Sequence, residues 1–119
     1  MANHNELGKI GEQIAVAYLQ KKGYGIWKQN YRYQKKEIDI IVFHEGSFRF
    51  IEVKTRKNAQ FAFPENSVHA TKINKCCLAA HQFLMETDHE GFYFFDIIAI
   101  TLEPKIQLQY FEDAFFPYA

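Results

Sequence analysis

A small mixed α/β fold, with one β-sheet and helices packed against it, is predicted by three observations. The chain has 119 residues, of which 48% are hydrophobic and 24% charged, enough apolar material for one core and no second sizeable domain. Two stretches of helical periodicity flank a block of three short strand-like segments. A further strongly apolar strand and a weaker one follow the second helix, so the order is α-β-β-β-α-β with a final strand. Residues 1–119 are therefore read as a single domain with a core over about 5–111 and an aromatic tail over 112–119.

The first helix is expected to start at Asn5 as N-cap, to carry Leu7, Ile10, Ile14, Ala17 and Tyr18 on its apolar stripe, and to stop at Lys21-Lys22-Gly23. Ile26 to Arg32 reads as a short strand, and Glu37 to Phe43 as a second. Phe48 to Thr55 is a third strand, joined to the second across His44-Glu45-Gly46-Ser47, a link of hairpin length. After a loop containing Pro64, a helix from about Asn66 to Thr87 buries Ile73, Cys76, Cys77, Ala80, Phe83 and Leu84. Phe92 to Thr101 and Ile106 to Phe111 complete the sheet, and the tail residues Phe115, Phe116 and Tyr118 are expected to dock onto the domain.

Several function classes fall away. No apolar run approaches a membrane span and no signal peptide opens the chain, so a cytoplasmic protein with no membrane partner is expected. Cys76 and Cys77 are adjacent, a poor geometry for a disulfide and the wrong spacing for zinc, and the five histidines are scattered. The formal net charge is zero, yet residues 1–75 hold 13 of the 14 basic residues and 7 of the 14 acidic ones. That asymmetry hints at a polyanion-binding face.

The informative feature is charge placed inside apolar strands. Side chains alternate across a strand, so Glu37 and Asp39 share one face of the second, and Glu52 and Lys54 one face of the third. Whether Phe43 faces Phe48 or His44 faces Ser47, the register sets Asp39 opposite Glu52 and Glu37 opposite Lys54. Like charges so opposed are destabilising, and a divalent cation between them is the natural remedy. Mg²⁺ or Mn²⁺ held there suits phosphodiester hydrolysis, with Lys54 orienting the attacking water. An ordinary surface ion pair between Glu37 and Lys54 explains Glu37 but leaves Asp39 and Glu52 unexplained. Glu12 adds a carboxylate from the first helix, on the shoulder of the apolar stripe. Gly8 and Gly11 beside it are expected to let a backbone or ligand come close.

Gly8-x-x-Gly11-Glu12, Asn30-x-Arg32 leading to Glu37-Ile38-Asp39, Glu52-Val53-Lys54-x-Arg56, Lys72 and Phe95-Asp96 together resemble the bacterial UPF0102 (YraN-like) family, of the PD-(D/E)xK nuclease-like superfamily that includes Holliday-junction resolvases. The resemblance implies a restriction-endonuclease-like αβββαβ core, a mixed sheet flanked by helices, and a metal-dependent nuclease acting on DNA. A catalytically silent nucleic-acid-binding module of the same fold is the alternative. It implies Asp39 and Glu52 as metal ligands, the Val53 carbonyl as a further ligand, Lys54 as the catalytic lysine, and Glu12 and Glu37 as accessory acids. Lys36, Arg56, Lys57, Lys72 and Lys75 are the expected nucleic-acid contacts, and the likeness to resolvases raises a homodimer. Two positions depart from the family pattern: Lys36 stands where a glycine is usual, and Phe94 where many members have a basic residue.

Overall fold

A computed structural model of the chain describes residues 4–58 and 70–114, with side chains over 6–58 and 74–114. Helix α1 (His4–Lys21) leads into strands β1 (Gly25–Tyr33), β2 (Lys36–His44) and β3 (Ser47–Arg56); helix α2 (Ala70–Glu86) then precedes β4 (Tyr93–Thr101) and β5 (Gln107–Phe111). The strands form one sheet in the order β1-β2-β3-β4-β5. β3 and β4 run parallel, and every other neighbouring pair is antiparallel. This is the mixed α/β sheet expected, consistent with a restriction-endonuclease-like core. Pro64, the proposed first turn of α2 from Asn66, and Phe115, Phe116 and Tyr118 lie outside the described residues.

The helices cover opposite faces. Under α1, Ala15 and Leu19 pack with Ile40, Val42, Ile51, Ile98 and Ile100. Under α2, Cys76, Ala79, Ala80 and Phe83 pack with Ile41, Phe48, Phe50, Phe95 and Ile97. Successive strand residues serve alternate clusters, as the two-residue period of a strand dictates. Cys76 is thus a small core residue, and burial pushes the half-buried Cys77 thiol up. Among the described residues no helix is long and apolar enough to cross a membrane.

Turn chemistry fixes the register. His44 pairs with Ser47 across Glu45 and Gly46, whose φ values of 50° and 79° make the two-residue turn that matches strand twist. α1 ends as expected: Gly23 at φ 91° donates from its N–H to the Gln20 carbonyl, and Tyr24 to that of Leu19, the paired bonds of a Schellman cap. Its start and its buried face differ from expectation. The helix already includes His4, so Asn5 lies inside it and is no N-cap. Ile10 and Ala17 are exposed, and the buried line runs through Gly11, Ala15 and Leu19. A Cβ on Gly11 would stand 1.7 Å from Thr55 Oγ1, so the absent side chain is what lets α1 settle on β3. Ile14 and Tyr18 of the expected stripe pack half-buried against the same cluster. Gly8 has nothing within 4 Å and plays no such part.

Candidate active site

The β2–β3 hairpin is paired from His44–Ser47 to Ile40–Ile51, always with the expected register, and its ladder stops there. β2 stays with β1 as far as Lys36, while β3 stays with β4 as far as Arg56. The two strands therefore fork, and the charged residues begin where the fork opens. Ile38 and Ile41 both belong to the cluster under α2, whereas Ile40 belongs to that under α1. Strict alternation is interrupted at Asp39, whose Oδ2 accepts a hydrogen bond from the Val53 N–H at 2.8 Å. Asp39 and Glu52 are thus not the directly opposed ladder pair expected. Asp39 fills the gap with a side-chain bond to backbone in place of a ladder bond.

Glu52 is 5% exposed, one of three buried polar residues in the described core. Lys54 Nζ lies 3.7 Å from Glu52 Oε1. The ion pairs formed are others than the Glu37–Lys54 pair weighed as the alternative: Lys54 lies beside Glu52, and Glu37 pairs with Arg32 at 3.3 Å. Glu37 stands beside Arg32 in the β1–β2 ladder, so the shorter reach wins.

Glu12 arrives from α1 because Gly11 lets the helix sit close. Burial pushes its carboxyl up, and the charges of Glu37 and Glu52 push the same way; hydrogen bonds with Asn30 and Asp39 act against them. Asn30, part of the Asn30-x-Arg32 motif, joins the acids. At φ 53° it leaves the regular strand, and its amide nitrogen donates to Glu12 Oε1 at 3.2 Å and to Glu37 Oε1 at 3.1 Å. An asparagine within a strand, a residue that tolerates left-handed backbone, was the available signal.

The basic residues divide. Arg56 Nε donates to Thr101 Oγ1 at 2.9 Å, and the Lys57 carbonyl accepts from the Glu103 N–H, so both stand where β3 and β4 end. Lys36 opens β2 at that same end, over the Tyr33 ring and bonded to Gln34. The C-terminal end of α2 lies by the β2–β3 turn, where His89 packs against Phe48, so α2 begins toward the fork end. Lys75 is exposed in its second turn; the Lys72 side chain lies outside the described residues.

A second polar cluster, on the α1 face, went unread in the sequence. Asp96 is fully buried; Arg49 Nη1 donates to both its oxygens at 3.0 and 3.1 Å, and Tyr110 Oη and the Asp113 N–H donate as well. Phe94 lies under the Arg49 guanidinium at 4.4 Å. Arg49 between two phenylalanines was the available signal.

For a metal, the donor chemistry fits one class. Carboxylate oxygens of Asp39, Glu52 and Glu12 with a backbone carbonyl suit a hard divalent cation. Among the described residues no group of three or more His, Cys, Asp and Glu side chains stands ready-made as a metal cage. Mg²⁺ commonly takes only one or two carboxylates and keeps its waters.

A model of the uncharacterised protein family UPF0102 matches residues 11–100. The chain is 43% identical over 117 residues to a UPF0102 protein of Flavobacterium psychrophilum, and 41% identical over 117 residues to one of Christiangramia forsetii, covering 98% of each chain in both comparisons. A UPF0102 protein of Bacteroides thetaiotaomicron is 40% identical over 118 residues, again 98% of each chain.

Proposed function

The chain belongs to the UPF0102 family, and from that premise we propose that it is a nuclease, dependent on Mg²⁺ or Mn²⁺, that hydrolyses DNA phosphodiester bonds. The observation that carries this reading is the fork between β2 and β3, which gathers Asp39, Glu52 and Lys54 with Glu12 beside them. In this reading Asp39, Glu52 and the Val53 carbonyl hold the ion, with Glu12 joining directly or through water. When bound, such an ion polarises the phosphate and makes water a better nucleophile at neutral pH. Water attacks phosphorus, a P–O ester bond breaks, and the departing alkoxide takes a proton.

The protein's own groups then have defined tasks. The Lys54 ammonium, beside Glu52, orients the water and offsets charge building on the phosphate oxygens. Val53 N–H fixes the Asp39 carboxylate, so one oxygen is oriented before any ligand arrives. Asn30 holds Glu12 and Glu37 together by donating to both. Lys36, Arg56, Lys57, Lys72 and Lys75 are the phosphate contacts of this reading, and they position the strand without reading its sequence. Glu37 is accessory through Asn30.

Purified protein is expected to cut single-stranded or branched DNA with Mn²⁺, and Glu52→Ala and Lys54→Ala each to abolish the cutting. Equal residual activity in wild type and both variants would assign it to a contaminant and end the proposal. Mn²⁺ should also raise the melting temperature, because binding only the folded state stabilises it, and Asp39→Asn should remove that rise.

A second reading, a catalytically silent nucleic-acid-binding module, is favoured by one contact. The Glu52–Lys54 pair at 3.7 Å balances its own charge with no metal. It predicts binding whose logarithm falls linearly with the logarithm of salt concentration, without metal and without product.

A further inference from the structure

Beyond Lys54, on the face of the sheet that carries Glu52, lies a cavity of about 360 Å³ lined by Arg56, Ala99, Thr101, Gln107, Leu108 and Gln109. The registers of β3, β4 and β5 place its walls. Glu52, Ile97 and Phe111 lie abreast; Lys54, Ala99 and Gln109 form the next rank; Arg56, Thr101 and Gln107 form the one after. Alternation puts all three ranks on one face. The cavity therefore lies on the same face as Glu52 and Lys54, in the ranks that follow them along the sheet.

Its lining has a distinct chemistry. Ala99 is only a methyl group between Lys54 and Gln109, which leaves a low floor. Gln107 and Gln109, on the edge strand, each present a carboxamide with both donor and acceptor groups. A phosphate is served by donors alone, whereas a base edge offers donors and acceptors together, and glutamine matches it. The Arg56 guanidinium is steadied by its bond to Thr101, at the cavity's rim. Neighbouring strands lie about 4.8 Å apart, so Gln109 stands about 10 Å from Lys54 across β4, a span that one nucleotide covers from phosphate to base edge. The volume suits a small organic ligand.

We propose that this cavity holds the base of an unpaired nucleotide adjoining the phosphate at Lys54, with Gln107 and Gln109 on the base edge and Arg56 on the backbone. The proposal rests on the nucleic-acid reading of the neighbouring site and names its substrate class: single-stranded, flapped or frayed DNA. A base in an intact duplex is stacked and its pairing edge is occupied, so it cannot descend into the cavity without first being flipped out.

The test compares a fluorescein-labelled single-stranded 20-mer with the same sequence as a blunt duplex, by anisotropy without added metal, and follows 2-aminopurine fluorescence in the single strand. Wild type should bind the single strand about tenfold more tightly, the discrimination expected of one well-made base contact. Gln107→Ala with Gln109→Ala, and separately Gln109→Glu, should bring the ratio close to one and remove the 2-aminopurine change. Equal binding of both DNAs by wild type, or an unchanged ratio in the glutamine variants, overturns the proposal. Cutting with Mn²⁺ is read separately. A glutamine-dependent preference without any cutting keeps the cavity and removes the nuclease, while cutting with an unchanged ratio does the reverse.

Discussion

At the scale of single residues, two contacts decide whether the parts fit. Thr55 Oγ1 is buried and has no hydrogen-bond partner among the described residues, and it faces the hydrogen of Gly11. Gly11→Ala should cost about 1–3 kcal/mol, as overpacking does, measured by urea unfolding. Thr55→Val, which trades an unsatisfied hydroxyl for a methyl group, should be neutral or stabilising by about 1 kcal/mol in the same assay. Arg49 and Asp96 are coupled more tightly still. Arg49→Met leaves the Asp96 charge buried without its cation and should cost about 3–5 kcal/mol, read as a lower urea midpoint at unchanged slope. Of these residues the glycine alone was read for its packing; Arg49 between two phenylalanines was legible as an oddity, its partner was not. Arg49 and Asp96 are 47 positions apart, and nothing short of the parallel β3–β4 pairing tells that they meet.

At the scale of elements, the hairpin register was readable and its end was not. Glu45-Gly46 sets the pairing of five residue pairs by turn chemistry alone. The fork depends on β2 keeping β1 and β3 keeping β4, a competition between distant partners that turn arithmetic omits. The same holds for α1: a stripe of large apolar residues was visible, yet the line buried deepest runs through Gly11, Ala15 and Leu19, with Ile14 and Tyr18 of that stripe half-buried beside it. Helix ends, by contrast, follow local rules. α2 closes with the same paired bonds as α1, but Asp88 at φ 54° occupies the place that Gly23 takes in α1. Asp88→Gly should therefore stabilise by about 0.5–1 kcal/mol and Gly23→Ala destabilise by about 1 kcal/mol, both read from thermal or urea unfolding.

At the scale of the whole molecule, two phenols, Tyr31 buried and Tyr110 half-buried, link one element to another and set its behaviour in alkali. Tyr31 of β1 donates to Glu86 of α2, and Tyr110 of β5 to Asp96 of β4. Burial first, and the neighbouring carboxylate second, push both phenols well above the ordinary tyrosine value. In the unfolded chain they lose their protons near pH 10, and in the folded protein they keep them. Folding thus retains protons that unfolding would release, so stability is whole below about pH 10 and falls above it, by up to about 1.4 kcal/mol per pH unit for each phenol. Tyr110→Phe should give a shallower decline than wild type in melting temperature between pH 9 and 11. The zero net charge also resolves at this scale: the fork gathers acids from the basic stretch of the chain, and Lys36, Arg56 and Lys57 stand at the same end of the sheet.

The Val53 N–H is bonded to a carboxylate rather than to a strand carbonyl. Its proton resonance is therefore a reporter built into the backbone, set by whatever Asp39 binds. Titration of Asp39, or its recruitment by a cation, should move that single amide peak in a nitrogen-15 spectrum while the amides along the zipped part of the hairpin stay in place. Occupancy of the fork can then be followed in solution with no substrate, label or catalytic turnover.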